Sequence, residues 1–179
     1  VWARRVMPVW QRVGLEFFAH TIPLFHVTGQ GFNRTPSDNR DMLRKLGRDP
    51  LVIKYTRIDT IYGLVNLMDA ALDAVPRLPG NTLILLGQKE DIVPNEAMSA
   101  FLAALPADSC VKVARYRSGY HMLLRDLKAD VVLGDLAAWM ANPERALPSG
   151  ADRVKVVSQE SGAPASLALN CVPPIAARP

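Results

Sequence analysis

Apolar residues recur with helical spacing over residues 58–75, where Ile58, Ile61, Tyr62, Val65, Met68, Leu72 and Val75 share one face. The pattern predicts an amphipathic helix with Asp59 or Thr60 as its N-cap. A looser stripe of Trp10, Val13 and Phe17, widened by Phe18 and Ile22, predicts a helix between Pro8 and Pro23. TGQGFNRTPSDN (28–39) is a loop by composition. Ser37 or Asp38 then caps a short helix through Leu46, with Gly47 just past its end. No strand is evident before residue 77.

The pattern changes after RLPGN (77–81). TLILLG (82–87) is a short unbroken apolar run, which suits a strand covered on both faces in a parallel sheet. QKEDIVP (88–94) is a polar loop, and Asn95 caps a helix over 96–105 that turns Ala97, Met98, Phe101, Leu102 and Leu105 to one side. CVKVARY (110–116) reads as a second strand and RSGYHMLLRD (117–126) as a loop. A last helix over 129–141 has Val132, Leu136, Trp139 and Met140 on its inward face. Strand, helix, strand, helix is the order of a sheet with helices on its faces. Two strands do not make a stable sheet. Either the fold is unusual or the rest of the sheet lies upstream of Val1, with this chain as part of a longer protein. Residues 142–179 hold six of the 14 prolines and little periodicity, and read as a flexible tail. The division is then a mainly helical region (1–76), an α/β core (77–141) and a Pro-rich tail (142–179).

Composition narrows the function. The chain is 49% hydrophobic and 21% charged, which is ordinary for a folded domain. A net charge of +4 is spread without a basic run, so no nucleic-acid partner is expected. Cys110 and Cys171 lie too far apart for a zinc motif or a disulfide framework. They read as reduced thiols of a cytoplasmic chain, and no metal or cofactor is called for. No stretch approaches the ~18 consecutive apolar residues of a membrane span, and the start VWARRVMPVWQRVG is too polar for a signal sequence.

Among the three histidines, His20 and His26 do not share a helical face as a metal pair would. His121 differs, because it follows a predicted strand and precedes a helix. In open α/β sheets that carboxyl end is where ligands and chemistry collect. Asp91 occupies the equivalent loop after the other strand, with Glu90 beside it as a competitor. If the strands are parallel, the two loops meet at one edge. A carboxylate there can fix the imidazole tautomer and stabilise the imidazolium.

GQKEDIVP (87–94) followed by YRSGYHMLLRD (116–126) resembles the closing part of an α/β-hydrolase, most nearly the lysophospholipase and monoacylglycerol lipase branch. There an acid follows the penultimate strand in a Gly-x-x-Asp-x-(Ile/Val)-x-Pro-like loop, and a histidine follows the last strand in a Gly-x-His-x-Leu setting. The resemblance covers about residues 1–141. It implies that Asp91 is the acid and His121 the base of a Ser-Asp-His triad, in that chain order. It also implies that residues 1–76 are a helical cap over the C-terminal part of the fold, which is a parallel sheet with flanking helices. SDNRDMLRKLGRDPLVIKYTRIDTIYGLVNLMDAA (37–71) resembles the cap of bacterial members.

The chain departs from that family in one respect. No two of its 11 glycines are four apart, so it has no Gly-x-Ser-x-Gly elbow, and Ser118 lies in the histidine's own loop. The nucleophile and the oxyanion loop are expected in a missing N-terminal part of the same hydrolase. The implied function is hydrolysis of carboxylic esters of lipids, with a small lipid ester as substrate. Residues 1–179 alone are expected to be inactive. The N-terminal aromatic stripe reads first as core packing. The alternative is a wall for an acyl chain, or contact of the cap with a membrane surface. Peptide, epoxide or haloalkane hydrolysis on the same fold, or an inactive interaction module, are the other readings.

Overall fold

The apolar run after Gly80 forms β3 (Leu83–Gly87), and β4 (Lys112–Tyr116) lies beside it. In the computed structural model, which describes residues 4–28, 34–106 and 110–153, the two strands pair in parallel. Leu83 stands opposite Lys112 and Gly87 opposite Tyr116. Helix α4 (Asn95–Ala103) connects them and α5 (Ala129–Ala141) follows β4, as the sequence pattern implies. The parallel register puts both strand ends, and the loops 88–94 and 117–126, at one edge.

β4 alternates because one face is covered. Lys112, Ala114 and Tyr116 are buried while Val113 and Arg115 are half-buried. Ala114 and Tyr116 join Leu123, Val132, Leu147 and Ala151 in the main core cluster, with Leu83, Leu85 and Trp139 packed on it. Leu147 and Ala151 correct the reading of residues 142–153 as tail. The rest of the expected tail, 154–179, lies outside the described residues. Lys112, pointing inward from β4, donates through Nζ to the carbonyl of Arg145 and lies 3.9 Å from Asp152 Oδ2. A buried ammonium requires such partners, and residues 142–153 supply them.

On α5 the inward face is Val132 and Asp135, not Met140, which is exposed. Asp135 is 1% exposed. Its Oδ2 accepts from Tyr116 Oη at 2.9 Å and from Ser149 Oγ, and its Oδ1 accepts from Ser149 N at 2.9 Å. Burial and the bond to this carboxylate push the Tyr116 phenol above its ordinary pKa, so it stays a donor. Asp135→Ala would strand the buried Tyr116 hydroxyl, at ~1–3 kcal/mol, and would remove the acceptor of two Ser149 donors that water can partly replace. We expect a total loss of about 2–3 kcal/mol and a Tm lower by roughly 5–10 °C, measurable by thermal melting. A change under about 2 °C would mean the network contributes little.

The region before residue 77 is mainly helical: α1 (Val9–Thr21), α2 (Arg40–Arg48) and α3 (Ile58–Ala74). It also holds two strands the sequence reading missed, β1 (His26–Thr28) and β2 (Tyr55–Arg57), paired antiparallel. Three-residue strands carry too little alternation to be recognised. The cap of α2 is Asn39, whose Oδ1 accepts from Met42 N at 3.1 Å, rather than Ser37 or Asp38. At α3 the N-cap position is Arg57, and Asp59 instead accepts from the Arg57 guanidinium, which holds its carboxyl below the usual range. The far end of α3 joins this region to the core: Leu72 and Val75 pack with Leu78, Phe101, Ala104 and Leu105.

The aromatic stripe of α1 does not pack inward. Trp10, Val13, Phe17, Phe18 and Ile22 are exposed, together with Leu24 and Phe25. Gln11, Gly14, Leu15 and Ala19 form the more covered face. Among the described residues, no helix is long and apolar enough to cross a membrane.

Candidate active site

The edge where β3 and β4 end holds the loops with Glu90, Asp91 and His121. Beyond Gly87 and Tyr116 the two loops are joined by backbone bonds: Gln88 N donates to Tyr116 O at 3.0 Å and Lys89 N to Gly119 O at 2.9 Å. Lys89 Nζ also lies 5.2 Å from the centre of the Tyr120 ring, a weak cation–π contact at this exposure. Contact this close needs glycine on both sides. A Cβ at Gly87 would sit 2.5 Å from the carbonyl oxygens of Gly119 and Tyr120.

This approach brings a carboxylate to His121, and it belongs to Glu90. Glu90 Oε2 lies 2.6 Å from His121 Nδ1. Glu90 Oε1 accepts from Ile92 N at 2.7 Å and Val93 N at 3.1 Å. The carboxylate is thus held by its own loop on one oxygen and meets the imidazole with the other. Its side chain is 17% exposed and that of His121 is 43% exposed, so the pair stands at a surface. With the carboxylate ionised, Nδ1–H donates to it. Nε2 is then the basic nitrogen, directed away from the acid.

Asp91, read from the sequence as the partner of His121, does not touch the ring. Its Oδ2 accepts from Thr35 N at 3.0 Å, and its Oδ1 is buried without a hydrogen-bond partner among the described residues. The two adjacent carboxylates therefore take different partners. Glu90 faces the histidine loop, and Asp91 faces residues 34–39. The sequence did hold a signal for this: in a Gly-x-x-acid-x-Ile-x-Pro spacing from Gly87, the acid position is Glu90. His20 and His26 lie elsewhere, on α1 and β1. His20 Nδ1 is 2.7 Å from Glu16 O, and its ring packs edge-on against Tyr62.

Among the described residues, no group of three or more His, Cys, Asp or Glu side chains is placed to hold a metal ion. A pocket of about 380 Å³ lies between β4, α5 and residues 149–151, but neither Glu90 nor His121 lines it. It therefore belongs to the packing behind the histidine loop rather than to the site.

Comparison with known proteins agrees with this architecture. The structure is similar to the crystal structure of a monoacylglycerol lipase from Paleococcus ferrophilus. The TM-score is 0.64 at 16% identity, and the match covers 78% of this chain and 54% of the lipase. The chain thus spans about half the length of that enzyme, and at this identity the likeness concerns the fold, an α/β-hydrolase. No curated protein matches the chain. A model of the serine aminopeptidase S33 family matches residues 1–128. That match takes in the helical region, the Glu90 loop and the His121 loop, and runs over well more than half of the 179 residues; the chain belongs to the serine aminopeptidase S33 family of α/β-hydrolases.

Proposed function

We propose that this chain supplies the acid and the base of a serine hydrolase that cleaves carboxylic esters of lipids, such as monoacylglycerols or lysophospholipids. The observation that carries the reading is the 2.6 Å contact between Glu90 Oε2 and His121 Nδ1 at the carboxyl edge of a parallel strand pair. A carboxylate–imidazole pair in that place is what a serine nucleophile needs. The serine and the oxyanion donors come from a part of the protein N-terminal to Val1, where further strands would pair along the other edge of β3.

In this reading His121 Nε2 takes the hydroxyl proton as the serine oxygen attacks the ester carbonyl. The imidazolium, stabilised by ionised Glu90, then gives that proton to the departing alcohol oxygen as the C–O bond breaks. Water repeats the sequence on the acyl-enzyme: it loses a proton to Nε2, and the serine oxygen recovers one as the fatty acid leaves. The likeness to a monoacylglycerol lipase and the exposed apolar face of α1 support a lipid substrate met through the cap. The family description supports a second reading, in which the same pair cleaves a peptide bond.

The complete protein, assayed against glyceryl esters and aminoacyl anilides, separates the two. Ester turnover, with covalent labelling of one upstream serine by a fluorophosphonate, is expected. Residues 1–179 alone should show neither, because loss of the nucleophile costs roughly 10⁶-fold. Ester turnover by this chain that survives His121→Ala would sink the reading.

A further inference from the structure

Residues 35–39, which lead directly into α2, bond to the two loops that carry the acid and the base. Each of the five residues contributes. Thr35 N donates to Asp91 Oδ2 at 3.0 Å, and Pro36 O accepts from Met122 N at 2.9 Å. Ser37 Oγ donates to Asp126 Oδ1 at 2.6 Å. Asp38 Oδ1 accepts from Leu127 N at 2.8 Å, and Asn39 Nδ2 donates to Arg125 O at 3.1 Å. The sequence suggested Ser37 and Asp38 as helix caps, but here they span the join between the cap region and the histidine loop.

The centre of this strap is buried. Ser37 is 1% exposed and Asp126 is 6% exposed. The Ser37 hydroxyl is used twice, since it also accepts from Asn39 N at 3.2 Å. Asp126 uses its second oxygen to accept from Tyr120 N at 2.8 Å. One carboxylate therefore ties Ser37 to the backbone amide immediately before His121. Charge-assisted bonds in a low-dielectric setting are the stronger class. The contact between His121 and Glu90 has little slack at 2.6 Å.

We propose that Ser37 and Asp126 are positioning residues for His121, and that the strap at 35–39 couples the seating of the cap to the alignment of the catalytic base. The inference rests on the Glu90–His121 reading and adds a control to it. With the strap seated, Asp126 holds Tyr120 N and the ring presents Nδ1 to Glu90. With Ser37 detached, Asp126 loses its fixed partner, the turn from 120 to 126 loosens, and the ring leaves the acid.

The test is ¹⁵N NMR of the His121 ring in the complete protein, with Ser37→Ala and the milder Asp38→Ala beside Glu90→Gln. Tyr116→Phe, which deletes another buried bond, that to Asp135, controls for plain loss of stability. The native chain should show the Nδ1–H tautomer with a slowly exchanging proton. Ser37→Ala should remove that proton signal and average the two ring nitrogens, whereas Glu90→Gln should remove it by moving the ring proton to Nε2. Asp38→Ala should do so partially, and Tyr116→Phe should leave the signals in place. If Ser37→Ala leaves the ring unchanged while Glu90→Gln alters it, the strap does not position His121. The same holds if Tyr116→Phe disturbs the ring as much as Ser37→Ala. If Glu90→Gln also leaves it unchanged, the acid–base pair itself is absent and both readings fall.

Discussion

Glu90→Gln in the complete hydrolase should lower kcat by about 10⁴-fold, while Asp91→Asn should cost about tenfold or less. The difference follows from which atoms face the imidazole. Glutamine keeps the shape of glutamate, and its Oε1 can still accept from Ile92 N and Val93 N as Glu90 Oε1 does. The atom facing His121 Nδ1 then becomes an amide nitrogen, which can only donate. Nδ1 must accept, so the ring proton moves to Nε2. The nitrogen that should take the serine proton is then already protonated. A wrong tautomer of this kind costs on the order of 10⁴-fold in the serine protease triad. Asparagine in place of Asp91 would keep an oxygen for Thr35 N, now 3.0 Å from Asp91 Oδ2, and has no part in the proton path. His121→Ala removes the base itself and should cost roughly 10⁶-fold. Steady-state kinetics at saturating ester, with circular dichroism to confirm folding, decides the matter. A larger loss from Asp91→Asn than from Glu90→Gln would return the acid role to Asp91.

The same pair of residues marks how far the sequence could be read. That an acid and His121 share one edge follows from two strands and their order, because short apolar runs and helical periodicity are local signals. The bounds of α5 and the start of α3 agree with the expectation for the same reason. Which of two adjacent carboxylates meets the ring depends on the side of the loop each faces, and tertiary contacts set that. Residues 147 and 151 show the converse. In a stretch rich in proline, one leucine and one alanine give no periodicity, yet both are core. Lys112 and Asp135 are polar residues inside the fold whose partners, Asp152 and Ser149, lie far along the chain and carry no local mark. For α1 the most apolar stripe faces outward, and the more covered stripe is the one with Gln11, Gly14, Leu15 and Ala19. Amphipathic pattern alone assumes that the apolar side is the buried side.

A single methyl group at Gly87 should damage both stability and turnover, though Gly87 takes no part in the chemistry. The added Cβ would stand 2.5 Å from two backbone oxygens, those of Gly119 and Tyr120. Neither can rotate away as a flexible side chain would. The histidine loop must therefore retreat by several tenths of an ångström or more. It is held at that distance by Lys89 N on Gly119 O at 2.9 Å and Gln88 N on Tyr116 O at 3.0 Å, so both bonds stretch. The cost of such overpacking is about 1–3 kcal/mol. His121 moves with the loop away from Glu90, and a displacement approaching 1 Å costs on the order of 10²-fold in rate. The contrast is Gly63→Ala within α3, where an added Cβ meets nothing within 4 Å. There alanine should stabilise the helix by roughly 0.5–1 kcal/mol. One substitution type thus gives opposite shifts in Tm at two positions. In the complete enzyme, Gly87→Ala should lower kcat with KM nearly unchanged, and Gly63→Ala should leave both as they are. Equal melting temperatures for Gly87→Ala and the native protein, with full activity, would show that the two loops can separate without consequence and that their close approach is not what aligns Glu90 with His121.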